Sequence, residues 1–179
     1  SEITPSMPNN FLRDYQNIAI DEWEKANYNG IFDMATGTGK TLTALGACIR
    51  LFNNVEHLAI VIICPYTHLV EQWVEDLENY SFNPIVGYGS MKSKNWKEKL
   101  RNQVMRYSLG ISKYLCFITT NATFKTDFVQ EELKKIERKN VLFVADEAHN
   151  LGAQNLLSKL NNKFQYRLAL SATFERFWL

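Results

Sequence analysis

Two periodicities alternate along this chain. Leu12, Tyr15, Ala19 and Trp23 recur at the three- and four-residue spacing of an amphipathic helix, and the polar stretch 27–30, closing on Gly30, ends it. A short apolar run at 31–34 predicts a strand. After a glycine-rich turn, Leu42, Leu45, Ile49 and Phe52 draw one apolar stripe on a helix that starts near Gly39. The unbroken apolar run 58–64 reads as a buried strand closed by Pro65. A helix over 68–80 follows, packing through Val70, Trp73, Val74 and Leu77, and then a short strand at 83–88 with Gly87 and Gly89 marking its exit. The pattern next gives a basic helical stretch to about Gly110, a strand at 114–119, a helix over 122–138, a strand at 141–145, a helix over 155–161 and a last strand at 166–170. Strands alternate with helices, and several strands are apolar throughout, so both of their faces are covered. That is the signature of an α/β fold with a mainly parallel sheet and helices on both faces. The first ten residues carry two prolines and few large apolar groups, and read as a linker or disordered arm ahead of one domain at 11–179.

Composition narrows the class without naming it. A chain of 179 residues with 46% hydrophobic and 22% charged residues has room for one well-buried core. Its 20 basic and 19 acidic residues nearly cancel, so any attraction for nucleic acid must be local. The longest apolar run is too short to cross a bilayer, and no membrane partner is expected. Cys48, Cys64 and Cys116 lie far apart with no C-x-x-C pair, as expected of buried, reduced thiols in a cytosolic protein. No signal peptide is visible, so the expected location is cytoplasmic, or nuclear in a eukaryote. The first residue, Ser1, suggests a fragment of something longer.

Two strings carry chemistry. ATGTGKT at 35–41 leaves a predicted strand and opens a predicted helix, the context in which backbone N–H groups cradle a triphosphate. It is a relaxed match to the phosphate-loop pattern, with Met34 in the first glycine slot and Gly39, Lys40 and Thr41 in place. In this reading Lys40 meets the phosphate oxygens and the Thr41 hydroxyl meets Mg²⁺. DEAH at 146–149 ends another predicted strand. Asp146 would hold Mg²⁺ and Glu147 would orient or deprotonate the attacking water, making Lys40, Asp146 and Glu147 the catalytic set and ATP with Mg²⁺ the cofactors. Carboxylates also suit a helix N-terminus for electrostatic reasons alone, and a lone histidine such as His149 is commonly a capping or core group.

Further strings form a larger pattern: LRDYQ at 12–16, VIICPYTHLVEQW at 61–73, ITTNATF at 118–124 and LALSATF at 168–174. With the two strings above, and in this order, the chain resembles the first RecA-like domain of superfamily 2 DEAH-box helicases, which are P-loop NTPases. Among the branches it is most similar to the motor subunits of type I and type III restriction enzymes and related DNA-repair helicases. The resemblance spans about 11–173. It implies that Gln16 hydrogen-bonds the adenine, with Arg13 and Tyr15 lining that pocket, and that Thr36, Gly37, Thr38, Gly39, Lys40 and Thr41 hold the phosphates. It implies further that His149, Ser171 and Thr173 couple the nucleotide site to strand movement, and that Pro65, Thr67, His68, Thr119, Thr120 and Asn121 touch the sugar-phosphate backbone of one strand. Hydroxyls, amides and backbone N–H groups position a strand without reading its bases, as a motor on any sequence requires. Phe174 stands where many relatives have proline.

The family hydrolyses ATP between two RecA-like domains, the second supplying arginines. The resemblance therefore implies a second such domain of the full-length protein as a partner, a nearly inactive isolated chain, and nuclease or specificity subunits as further partners. DNA is the expected nucleic acid. An RNA helicase, or a nucleotide-gated clamp that does not translocate, is the alternative. Residues 91–113 hold seven basic side chains (Lys92, Lys94, Lys97, Lys99, Arg101, Arg106, Lys113) against Glu98, which reads as a solvated helix face or as a patch facing a nucleic-acid backbone.

Overall fold

The computed structural model describes residues 2–35, 39–91, 95–148 and 163–172. Within them the chain runs α1 (Asp14–Lys25), β1 (Asn29–Asp33), α2 (Lys40–Val55), β2 (Leu58–Cys64), α3 (Thr67–Asn79), β3 (Ile85–Val86), α4 (Asn95–Ser108), β4 (Tyr114–Thr120), α5 (Asn121–Phe124), α6 (Asp127–Lys134), β5 (Val141–Ala145) and β6 (Tyr166–Ser171). The six strands form one sheet in the order β1-β6-β5-β2-β4-β3, and every pairing is parallel. This is the expected α/β architecture.

Alternation along the central strands sorts the core into two layers. On β2, Leu58, Ile60, Ile62 and Cys64 point to the side covered by α1, α2 and α3, where Ile20, Trp23, Leu45, Cys48, Leu51, Val70, Trp73 and Leu77 meet them. Ala59, Val61 and Ile63 point to the other side, against Trp96, Leu100, Val104 and Tyr107 of α4 and Val129 and Leu133 of α6. Both faces of β2 are buried, which is why its sequence shows no period of two. The three cysteines are buried free thiols, and burial pushes the Cys116 thiol up to about 12.

Local chemistry moved some boundaries. The helix expected over 122–138 is two short ones. The Thr126 hydroxyl donates to the Thr123 carbonyl (2.6 Å) and the Gln130 amide to that of Phe124 (2.6 Å), taking acceptors that a continuous backbone ladder would use. Asn27 and Tyr28, both left-handed (φ 58° and 61°), end α1 early and let β1 begin at Asn29. Ser81 and Asn83 at positive φ and the ring of Pro84 confine β3 to two residues. The helix expected at 155–161 lies outside the described residues.

The arm is tied to the body. Pro5 is buried, Ser6 N–H donates to the Tyr80 carbonyl (2.9 Å), and the Glu2 carboxylate accepts from the Ser112 hydroxyl and from Lys113 N–H (3.1 Å). Among the described residues no helix is long and apolar enough to cross a membrane.

Candidate functional site

Because all six strands run the same way, their carboxyl ends share one edge of the sheet, the edge at which open parallel sheets bind ligands. Five of the six motifs reach that edge. The glycine loop leaves β1, Pro65 follows β2, Asn121 follows β4, Asp146 follows β5, and Ser171 ends β6. Register sets the neighbours: Cys64 pairs with Thr120, Ile63 with Ala145, and Asp33 with Ser171. Residues distant in sequence thus become adjacent.

Lys40 opens α2, and its Nζ lies 2.9 Å from Glu147 Oε1 and 3.2 Å from Asp146 Oδ1. Burial, the largest single influence on Lys40, disfavours its charge, but the two carboxylates together outweigh it and hold its pKa above the ordinary 10.5. Gly39 caps the helix in the left-handed region (φ 79°), and a Cβ there would sit 2.7 Å from Gln16 Nε2. Glycine is required on both counts.

Asp146 is 4% exposed and held from several directions. Its N–H donates to the Ile63 carbonyl (2.9 Å), Oδ1 accepts from Glu147 N–H (2.8 Å), and Oδ2 accepts from Trp73 Nε1–H (2.8 Å). Glu147 is left-handed at φ 53°, a conformation costing about 1–2 kcal/mol for a residue with a Cβ. That turn carries Ala148 N–H to the Leu170 carbonyl (2.7 Å) and leaves the Glu147 side chain toward Lys40.

A cavity of about 210 Å³ is lined by Lys40, Thr41, Leu69, Gln72, Trp73, Asp76, Asp146 and Glu147. Magnesium takes hard oxygen ligands from carboxylates, water and substrate phosphates. A hydroxyl and two carboxylates beside one lysine match those demands, so the residues present fit a magnesium-bound phosphate. A larger groove of about 1040 Å³ lies along the β3 edge, where Lys99, Arg106 and several amides line it. Volume does not mark the site; convergence of opposite charges does.

Gln16 is buried at 5% exposure and bridges α1 to the loop: its Nε2 donates to the Gly39 carbonyl (3.2 Å) and the Thr43 hydroxyl (3.0 Å), while Oε1 accepts from Arg13 N–H (2.9 Å). The Arg13 side chain is exposed at the start of the same helix. Ser171 is half-buried, and its carbonyl accepts from Met34 N–H (3.0 Å), joining the end of β6 to the start of the loop. Thr36, Gly37, Thr38, His149 and Thr173 lie outside the described residues.

Of the six residues expected at a nucleic-acid strand, Thr67 and His68 are exposed and Pro65 and Asn121 half-buried at neighbouring strand ends. Tyr66 is 54% exposed, with its ring stacked on that of His68 at 5.5 Å. Thr119 is fully buried, and Thr120 caps α5 by accepting from Thr123 N–H (3.2 Å). The basic stretch divides: Lys97 and Arg101 lie over the Phe128 ring (5.3 and 5.5 Å), while Lys99 and Arg106 face the larger groove.

Sequence reasoning missed two partners here. Trp73 reads as one member of the packing stripe of α3, and Thr43 is a polar residue between Leu42 and Leu45 to which the sequence assigns no role. The available signal for Trp73 was that a buried indole N–H needs an acceptor.

Solved structures share this fold. A nuclease-deletion mutant of the Type ISP restriction-modification enzyme LlaGI, in complex with a DNA substrate mimic, matches with a TM-score of 0.70 and 20% identity, over 90% of this chain and 17% of that one. The Sulfolobus solfataricus SWI2/SNF2 ATPase core in complex with dsDNA matches at 0.58 and 21%, over 97% and 34%. The UvsW helicase from bacteriophage T4 matches at 0.61 and 20%, over 97% and 57%. The chain thus spans a part of each of these proteins. No curated protein matches it in sequence. Fold and strand order are those of a RecA-like P-loop domain, and with the family model below they support the first such domain of a superfamily 2 helicase. The model of one family, described as type III restriction enzyme, res subunit, matches residues 10–176, and the chain belongs to that family. It is a helicase-type motor domain.

Proposed function

We propose that this domain is the ATP-binding half of a DNA helicase or translocase motor, which binds Mg-ATP, contacts the nucleic-acid backbone, and hydrolyses ATP only with a second RecA-like domain. The observation that carries this reading is the grip of Asp146 and Glu147 on Lys40, at 3.2 and 2.9 Å, where the glycine loop meets the end of β5. Lys40, now neutralised by Asp146 and Glu147, would meet the negative charge of a bound triphosphate instead, and the two carboxylates would then be balanced by magnesium. Thr41 and Asp146 are the residues that would hold the metal. Glu147 is the base for a water, and its strained turn fixes where its carboxylate reaches. Gln16, bonded to Gly39 at the end of the loop and to Thr43 in the first turn of α2, is the candidate for adenine recognition.

Thr67 and His68, which open α3 after β2, and Asn121, which follows β4, the parallel neighbour of β2, are the candidate contacts to one strand's backbone. DNA is favoured because LlaGI and the SWI2/SNF2 core are complexes with a DNA mimic and with dsDNA. Nuclease or specificity subunits belong to the same proposal, as does a cytoplasmic or nuclear setting.

An arginine from a second domain is worth roughly 10³–10⁵ in rate. Against a typical turnover of ~10 s⁻¹, the chain alone should hydrolyse ATP at ~10⁻² s⁻¹ or slower. A steady-state phosphate-release assay with single-stranded DNA, and in parallel with RNA, checks this. Turnover near the typical value by the chain alone would end the half-site reading, and stimulation of the full-length protein by RNA in preference to DNA would replace helicase on DNA by helicase on RNA.

A further inference from the structure

Trp73 is 2% exposed in the core layer between α3 and the sheet, and its indole N–H is aimed at Asp146 Oδ2, 2.8 Å away. An indole has one donor and no acceptor. Its ring is locked among packed apolar side chains, so the donor cannot follow the carboxylate if that rotates. A hydrogen bond from a neutral donor to an ionised carboxylate is among the stronger kinds. The two oxygens of Asp146 are thereby distinguished: Oδ2 is tied to the helix behind it, while Oδ1, held by Glu147 N–H, faces Lys40.

We infer that Trp73 is a positioning residue, fixing the Asp146 carboxylate so that one oxygen stays presented to magnesium. The inference rests on the reading of Asp146 as the metal-associated carboxylate. Donors behind a metal ligand commonly carry a 10- to 100-fold effect on metal affinity or activity. The indole N–H is spent on Asp146, so loss of that hydrogen bond should appear through the metal.

The test separates N–H from ring. Binding of a fluorescent ADP analogue is titrated in EDTA and across a Mg²⁺ series, using the unaltered chain, Trp73→Phe, and a variant with benzothienylalanine at position 73. That last side chain keeps the bicyclic shape and replaces N–H by sulfur, so it reads the hydrogen bond even if Trp73→Phe folds poorly. Expected is an affinity in EDTA within about twofold of the unaltered chain for the benzothienylalanine variant, with the Mg²⁺ concentration at half effect raised about tenfold or more. An unchanged Mg²⁺ midpoint in that variant, or an equal loss with and without Mg²⁺, would overturn the positioning role and leave Trp73 as packing alone. Absence of nucleotide binding by the unaltered chain would instead remove the nucleotide-site reading, and this inference with it.

Discussion

The two edges of this sheet differ in where their charge gathers. At the amino-terminal edge side chains close the backbone: Trp23 Nε1–H donates to the Arg167 carbonyl (2.9 Å), Tyr107 OH to that of Asn140 (2.5 Å), and the Asn140 amide to that of His57 (2.9 Å), while Arg167 Nε–H donates to the Asn29 amide oxygen (2.8 Å). The first three bonds each join a side chain to a main-chain oxygen near the start of a strand. At the carboxyl-terminal edge, side chains hold one another. Lys40 lies between two carboxylates, Asp146 is tied to Trp73, and Glu147 sits in a left-handed turn. Two buried oxygens nearby, Thr119 Oγ1 and Asn121 Oδ1, have no hydrogen-bond partner among the described residues. Left-handed residues occur at both edges, Asn27 and Tyr28 at one and Glu147 at the other, so what sets the carboxyl-terminal edge apart is the charge gathered around Lys40.

The largest effect that could break this contrast is at the amino-terminal edge. Trp23→Ala removes a 3%-exposed ring and should cost about 3–5 kcal/mol of stability, measured by urea unfolding, while the folded fraction keeps its nucleotide affinity. Asp146→Asn at the opposite edge should do the reverse. Lys40 keeps Glu147 as a partner, but the Asn amide faces either the Trp73 or the Glu147 N–H without accepting from it, so the stability cost is about 1–3 kcal/mol, while the Mg²⁺-dependent gain in nucleotide affinity disappears. If the Asn variant unfolds as readily as Trp23→Ala, the charged edge is structural after all.

A smaller effect isolates the strain. Glu147→Gly and Glu147→Ala both remove the carboxylate, but only glycine relieves the turn at φ 53°. The glycine variant should be more stable than the alanine variant by about 1 kcal/mol in matched unfolding curves, and both should lose hydrolysis in the two-domain protein. Equal stability of the pair would remove strain from the account.

The contrast was half legible in the sequence. Strand order was not written there, but parallel strands were, because 58–64 is apolar at every position and only a sheet covered on both faces tolerates that. Placing Lys40 against Asp146 and Glu147 followed from two strings that each need a strand end. Gln16 was identified through resemblance, yet its bonds to Gly39 and Thr43 were not foreseeable, since they depend on how α1 crosses α2. Trp73 was hidden for a different reason. In a helical stripe its ring counts as one more apolar residue, and the direction of its N–H is fixed only by packing. The amino-terminal edge left almost no trace, because side-chain bonds to carbonyls can be made by many residue types at many spacings.

The central claim is that Lys40 is held for a phosphate rather than for stability. Titration of Mg-ADP into the chain and into Lys40→Ala, by calorimetry at fixed ionic strength, tests it most directly. A charge-assisted hydrogen bond is worth about 1.5–3 kcal/mol, about 10- to 150-fold in affinity, and the alanine variant also leaves Asp146 and Glu147 without the cation that masks them. The expected result is binding weaker by at least about tenfold in Lys40→Ala. Equal affinity in the two proteins would contradict the account.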